Sequence, residues 1–268
     1  MIIFSVVLAT HNEALNLERC LRSIQDLADE IIVVDGDSTD GTRELARKLD
    51  VTLIETTNKP NFHINKRMAM DASSGAIVLQ LDADELVDDE LHTFIAQLKE
   101  NSLAGSLADQ PSAWYLRRKN HLFNRWLSKG GQYPDAVIRL YQKGKARLPQ
   151  KDVHEQMIVE GEVATAPGHL LHYSYPTFSD YLSKFNTYTS FAASQLLEKT
   201  TIHTKKPSVF QYLVLKPLQT FFSLYARHRG YVDGMAGFVF AYMSALHHPF
   251  VLLKYWELSQ KKSTDQNK

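Results

Sequence analysis

The chain has 268 residues, 44% hydrophobic and 22% charged, which suits one large domain or a domain with an appendage and excludes a disordered chain. Its 30 basic and 30 acidic residues cancel unevenly: residues 1–100 hold 9 Lys and Arg against 19 Asp and Glu, and residues 101–268 hold 21 against 11. The acidic front argues against a nucleic-acid grip there, whereas the basic, aromatic-rich back suits anionic lipid or a phosphorylated substrate.

The run 2–9 is apolar, has no basic residue before it and is shorter than a spanning segment, so it reads as a buried strand and not as a signal peptide. Short β-branched or apolar runs at 31–35, 51–55 and 76–82 have the character of strands buried on both faces. Between the first two, Ala14, Leu17, Leu21 and Ile24 step by three, four and three, the spacing of an amphipathic helix. The lone cysteine, Cys20, falls on that stripe; it allows neither an intrachain disulfide nor a multi-cysteine metal site, and a buried structural thiol is expected. Segments 42–49 and 64–73 read as the next helices. Such βαβ alternation predicts a parallel sheet with helices on both faces, on which ligands sit beyond the carboxyl ends of the strands.

From residue 114 the pattern changes. Segments 114–120, 135–142 and 169–173 look like further strands, joined by loops bearing Gly130-Gly131, Tyr133-Pro134 and Ala166-Pro167-Gly168. Helical patterns follow at roughly 177–199, 207–228 and 234–259, punctuated by Pro207 and Pro249, before a polar tail at 261–268. No internal repeat or low-complexity block is present.

Three predicted strands run into polar clusters: Thr10-His11-Asn12-Glu13, Asp35-Gly36-Asp37-Ser38 and Asp82-Ala83-Asp84-Glu85. Any one of them could merely cap the next helix. Three converging on one sheet edge point to a ligand. In Asp82-Ala83-Asp84, carboxylates at i and i+2 of a strand would face the same way, and their repulsion is relieved by a hard divalent cation such as Mg²⁺ or Mn²⁺.

Here the sequence resembles the family 2 glycosyltransferases, which have the GT-A fold, a Rossmann-like α/β nucleotide-sugar-binding sheet. The resemblance rests on Ser5 through Glu13, Ile32-Val33-Val34-Asp35-Gly36-Asp37-Ser38-Thr39-Asp40-Gly41-Thr42 and Leu79-Gln80-Leu81-Asp82-Ala83-Asp84-Glu85. A closer likeness is to the β-1,4 glucosyltransferases of the lipopolysaccharide core, through Tyr133-Pro134-Asp135, Arg139-Leu140-Tyr141, Val153-His154-Glu155 and the helical tail with Lys216-Pro217 and the stretch from Gly230 to Gly237. The resemblance implies that Thr10, Asn12, Glu13, Asp35 and Asp37 frame a uridine, and carboxylates can indeed accept the uracil N3–H and bind ribose hydroxyls. It sets Lys66 near the diphosphate, Asp82 and Asp84 at the metal, and His154 as a further metal or diphosphate contact. Arg67 stands where the family more often has Asn. The organisation implied is 1–113 as the nucleotide-sugar-binding half, 114–175 as the acceptor-side half of the same domain, and 176–268 as a mostly helical extension.

Transfer of a sugar also needs a carboxylate to take the acceptor's proton, as in inverting glycosidases. Two beyond residue 114 qualify: Asp135, which begins a strand after the Gly-Gly loop, and Glu155, in the Val-His-Glu segment. His247-His248 has no carboxylate at metal-like spacing and is assigned no chemistry. The stretches 213–225 and 234–255 are strongly apolar and flanked by Lys205-Lys206, Arg227-His228-Arg229 and Lys254, yet contain no uninterrupted apolar run of the roughly 18 residues a spanning helix needs. They suit interfacial helices on the inner leaflet, with helical packing or dimerisation as the structural alternative.

The expectation is therefore an inverting, Mg²⁺- or Mn²⁺-assisted hexosyltransferase. It would use a nucleotide-diphosphate sugar, with UDP-hexose favoured, and a glycan or glycolipid acceptor such as lipopolysaccharide core. It would be cytoplasmic, peripheral on the cytosolic face of the inner membrane, with no nucleic-acid partner. A sugar-1-phosphate nucleotidyltransferase would need a Gly-rich phosphate loop, and 10–17 contains no glycine; a dinucleotide oxidoreductase would need Gly-x-Gly-x-x-Gly after a strand. The non-enzyme alternative is a degenerate GT-A domain acting as a glycan- or membrane-binding module.

Overall fold

The computed structural model describes residues 2–59, 62–149, 156–203 and 206–266. The chain alternates β1 (Phe4–Thr10), α1 (Leu17–Arg22), β2 (Glu30–Gly36), α2 (Thr42–Lys48), β3 (Thr52–Thr56), α3 (Phe62–Ala72) and β4 (Ile77–Leu81), then β5 (Glu85–Val87) and α4 (Asp89–Leu103). Strands β1 to β4 pair in parallel in the order β3-β2-β1-β4. Alternate side chains feed two cores. Phe4, Val6 and Leu8 pack with Leu79, Leu17 of α1 and Ile95 of α4, while Val7, Ile32 and Val78 pack with Ala69 and Met70 of α3. Burial on both faces is why β1, β2 and β4 read as apolar runs, and each buried Leu or Ile contributes about 1.5–3 kcal/mol. Strand β3, expected to be buried on both faces too, is the sheet's edge and has no fully buried residue, because only one side of it has a neighbouring strand. Cys20 is buried and free, as expected of a structural thiol.

The sheet continues with antiparallel partners: β6 (Ala113–Leu122), β7 (Arg125–Trp126), β8 (Asp135–Gln142) and β11 (Val163–Tyr175), with β9 (Ala146–Arg147) and β10 (Ile158–Val159) forming a separate small ribbon. Strand β8 lies between β4 and β6, setting Leu140 opposite Leu79 and Asp135 opposite Arg118. Segment 166–168, expected as a loop, lies inside β11. Pro167 donates no ladder bond, and Gly168 adopts φ +75° where an added Cβ would lie 2.2 Å from the Leu91 amide nitrogen. Helix α4 is an addition to the expected elements. Its N-cap Asp88 accepts the Leu91 N–H, and Leu91, Ile95 and Leu98 form its buried face.

The chain forms two compact units: Met1–Lys119 with Pro134–His172, and Asn120–Tyr133 with Tyr173–Lys268. The second holds α5 (Phe178–His203), α6 (Lys216–Phe222) and α7 (Gly234–Gln266), around a core of Leu122, Leu127, Tyr181, Phe185 and Met243. Lys254 of α7 donates to Asn186 Oδ1 at 2.6 Å, Thr189 Oγ1 at 2.8 Å and Ser190 Oγ at 2.8 Å on α5. Asp233 accepts the backbone N–H groups of Ser128 and Lys129 at 3.1 and 2.8 Å, which holds the Gly-Gly loop.

One helical expectation changes. The segment 207–228 is α6 flanked by π-helical turns at Gln211–Leu215 and Ser223–Arg227. Pro249 does not interrupt α7 but lies within it. A proline there removes one backbone donor, and packing such as Phe250 against Phe185, 5.2 Å between centroids, carries the helix through. The stretch Gly230–Lys261 contains an 18-residue window of mean hydropathy 1.4 and is by length and composition alone able to cross a membrane, with 33% of that window buried inside the protein. The helix expected at 234–259 thus passes through His247-His248-Pro249, which interrupts its apolar run but not its backbone.

Candidate active site

Parallel pairing aligns Thr10 with Asp35 at the carboxyl ends of β1 and β2. The loops that follow are tied to one another. The Asn12 N–H donates to Ser38 Oγ at 2.8 Å, and Asn12 Oδ1 accepts the Thr39 N–H at 2.8 Å. The Glu13 N–H donates to Thr42 Oγ1 at 2.8 Å, and the Glu13 carboxylate accepts from Asn16 at 2.8 Å. Asn12 and Asp37 adopt φ +58° and +66°, conformations that Asn and Asp tolerate better than most residues.

Asp35 is fully buried and accepts from Thr10 Oγ1 (3.2 Å), the Ser38 N–H (2.9 Å), Ser38 Oγ (2.5 Å) and Arg43 Nε (2.6 Å). Burial pushes its pKa up, but these donors outweigh it and hold the carboxyl below its ordinary value. Four bonds match the acceptor capacity of a carboxylate, so Asp35 organises the loop from within. Exposed Asp37 pairs with the same Arg43 at 3.0 Å.

Beyond β4, residues 82–85 form a turn, closed by the Glu85 N–H donating to Asp82 O at 2.9 Å. The two aspartates therefore lie outside a strand and have different partners. Asp84 is buried, with one oxygen 3.6 Å from His172 Nε2. Asp82 lies between two cations, Lys66 Nζ at 2.5 Å and Arg139 Nη2 at 2.5 Å. Burial pushes the Asp82 pKa up, and the Arg139 guanidinium and Lys66 ammonium more than reverse this, holding it well below the usual carboxylate range.

The pairing continues. Arg139 lies 3.4 Å from fully buried Glu85, Glu85 lies 3.5 Å from Arg118, and Arg118 Nη2 lies 2.7 Å from Asp135 Oδ2. Lys66, Asp82, Arg139, Glu85, Arg118 and Asp135 thus form one chain of alternating charge, running from the expected diphosphate contact to an expected base. Each ion, buried alone, would cost several kcal/mol, so each needs its neighbours. The Arg139 Nε is buried without a hydrogen-bond partner.

Lys66 is thus a buried member of the cluster, whereas Arg67 lies on the outer face of α3 and pairs with Asp71 at 2.9 Å. His154 and Glu155 lie outside the described residues. Sequence reasoning gave no role to Glu85, Arg118, His172 or Arg139. Arg139 lies four residues after Asp135 in β8, at the irregularity where the β6 partner steps from Tyr115 opposite Ile138 to Trp114 opposite Leu140.

Among the described residues no three His, Cys, Asp or Glu side chains converge as a ready cage for a metal ion. Mg²⁺ commonly binds one or two carboxylates and completes its shell with water and substrate phosphates. Asp84 beside His172, at the strand edge, fits a site of that substrate-completed kind.

The glycosyl transferase family 2 model matches residues 5–155, which contain every element of the cluster except His172. The lipopolysaccharide core biosynthesis glycosyltransferase LpsC of Rhizobium meliloti (strain 1021) is 30% identical over 87% of this chain and 87% of its own. An uncharacterized glycosyltransferase, RT0209, of Rickettsia typhi (strain ATCC VR-144 / Wilmington) is 28% identical over 96% of this chain and 88% of its own. The crystal structure of S. aureus TarS 1-349 in complex with UDP is a more distant likeness, with TM-score 0.44 and 13% identity over 97% of this chain and 92% of its own. The family match over more than half of the chain agrees with the parallel sheet and its acidic strand ends: this chain belongs to glycosyl transferase family 2.

Proposed function

We propose that this glycosyltransferase moves a hexose, with inversion, from a UDP-hexose to a hydroxyl of a cell-envelope glycan or glycolipid such as the lipopolysaccharide core. The observation that carries the reading is the convergence of Lys66, Asp82, Asp84 and Arg139 at the carboxyl edge of the parallel strands. Thr10, Asn12, Glu13, Asp35 and Asp37 frame the nucleoside through the cross-tied loops after β1 and β2. Lys66 and Arg139, neutralised by Asp82, are the cations that meet the donor's diphosphate. Asp84 and His172, with Asp82 beside them and His154 as a further candidate, would hold Mg²⁺ or Mn²⁺, whose charge when bound stabilises the leaving diphosphate.

On the acceptor side a carboxylate takes the proton of the attacking hydroxyl. Asp135 is one candidate, its Oδ2 oriented by Arg118 Nε at 3.0 Å and Nη2 at 2.7 Å, and Glu155 is the other. The likeness to LpsC supports a core-type acceptor. A cytosolic nucleotide donor and a lipid-held acceptor meet at the inner face of a membrane, which is where the enzyme works.

The test is a screen of UDP-Glc, UDP-Gal, UDP-GlcNAc and GDP-Man, each with and without Mn²⁺, by thermal shift and then by transfer to core oligosaccharide. The donor should raise the melting temperature by mass action, and more so with the cation. Stabilisation by none of the four, with or without metal, counts against the reading. Binding without turnover would favour the degenerate binding module.

A further inference from the structure

We infer that the segment from Lys206 to Arg229 is the face of the second unit that lies along an anionic lipid surface. This deepens the reading of a membrane-held acceptor and rests on it. Between Glu198 and Asp233 the chain contains no Asp or Glu, but does contain Lys199, Lys205, Lys206, Lys216, Arg227 and Arg229. Within that acid-free stretch Val209, Phe210, Leu213, Val214, Leu218 and Phe222 are all exposed, Phe210 at 60% and Phe222 at 59%.

The backbone keeps these side chains in line. Phe210, Val214, Leu218 and Phe222 are four apart, and a four-residue step overshoots one α-helical turn of 3.6 residues, so in a plain α-helix the row would wind away. The π-helical turn at Gln211–Leu215 is wider, so there the same step falls short. The π turn followed by α6 offsets the drift and keeps the four side chains along one side of the segment. The opposite side of the segment is occupied: Phe221 packs on Phe238 of α7 with centroids 5.9 Å apart, and Thr220 bonds His248 at 2.8 Å. Lys216 Nζ sits 3.5 Å from the centroid of the Tyr212 ring, an aromatic–ammonium pair suited to the headgroup level.

Geometry and charge select the occupant. From residue 210 to 222 a helix rises only about 18 Å, short of the roughly 30 Å hydrocarbon core, so the row lies on a bilayer and does not cross it. A second copy of this chain would bring the segment against itself about a two-fold axis. The four basic residues Lys206, Lys216, Arg227 and Arg229 would then meet the same four, with no carboxylate in the segment to compensate. Anionic lipid complements that charge and accepts the apolar row.

The test uses the full chain in flotation with vesicles of phosphatidylglycerol and phosphatidylethanolamine, against vesicles of phosphatidylcholine alone, at low and high salt. Binding should require the anionic lipid and weaken with salt. The double variant Phe210→Glu, Phe222→Glu should reduce partitioning at least tenfold, and Arg227→Ser and Arg229→Ser about fivefold each. Leu253→Ser with Trp256→Ser on α7 should leave partitioning unchanged, as should each variant's stabilisation by UDP-sugar. If the glutamate variant does not fold, the arginine variants decide.

Equal binding to neutral vesicles, no binding at all, or loss only in the α7 variant would overturn the assignment. So would a wild-type dimer that the glutamate variant dissociates, since the row would then be a subunit contact. Retained UDP-sugar stabilisation alongside indifference to lipid removes only this surface. Loss of both in the wild type removes the transferase reading as well.

Discussion

Lys66 Nζ and Asp82 Oδ1 lie 2.5 Å apart, joining the middle of α3 to the turn after β4. Burial pushes the Lys66 pKa down, although Asp82 opposes this, so the lysine needs an anion beside it to keep its charge. In the free enzyme that anion is Asp82, and in the function proposed above the donor's diphosphate would add to it. Lys66→Met should weaken UDP binding roughly 10- to 100-fold, the range expected for a charge-assisted bond, and leave uridine binding unchanged. Calorimetric titration with both ligands checks this. Equal losses for uridine and UDP would take Lys66 away from the diphosphate.

Asp84→Ala should reduce transfer by at least about 100-fold and abolish the response to Mn²⁺, with the melting temperature held within a few degrees. The motive is the buried Asp84 carboxylate 3.6 Å from His172. His172→Ala should raise the Mn²⁺ concentration needed for half-maximal activity. Normal metal dependence in the purified Asp84→Ala protein would end the metal assignment.

Asp135→Asn should leave UDP affinity nearly unaltered and lower kcat by orders of magnitude, because the amide keeps one acceptor for Arg118 but cannot take a proton. Glu155→Gln should then be the milder change. The reverse order of severity makes Glu155 the base and Asp135 the anchor of Arg118.

The Asp35 carboxyl has a pKa below its ordinary value. The sign follows: its contribution to stability is present above the usual carboxylate range, near pH 4, and is lost as pH falls through the lower folded-state value. Asp35→Asn should lower the melting temperature at pH 7 by roughly 3–10 °C and flatten the loss of stability below about pH 4. A donor KM raised in proportion to the loosened loop is expected too. An unchanged melting temperature at pH 7 and an unchanged acid limb would mean that the four hydrogen bonds to Asp35 are not what holds the loop.

Strands β1 to β4 were legible to within a residue or two: β1, β2 and β4 because strands buried on both faces read as apolar runs, and the edge strand β3 through its β-branched residues alone. Helix α4 was equally available, with Asp88 as cap and Leu91, Ile95 and Leu98 at helical spacing. The acidic strand ends were visible as clusters, but their partners were not. Arg139 reaches Asp82 because β8 pairs with β4 at Leu79 and Leu140, and Arg118 reaches Asp135 because β6 pairs with β8. Strand register over such distances is a tertiary fact that no local spacing encodes. The row in 206–229 was legible as apolar and basic, whereas its alignment depends on the π-helical turn at Gln211–Leu215, which residue type does not announce.

The alternating chain from Lys66 to Asp135 has a consequence for inheritance. Neutralising any interior member sets two like charges next to each other in a buried place. Loss of Glu85, for instance, leaves Arg139 facing Arg118. A lineage can therefore leave the arrangement only by changing neighbours together, so descendants of this enzyme should keep the six residues as a block or lose several at once. Single substitutions along the chain should likewise be more harmful than the matched double ones that remove a cation with its anion.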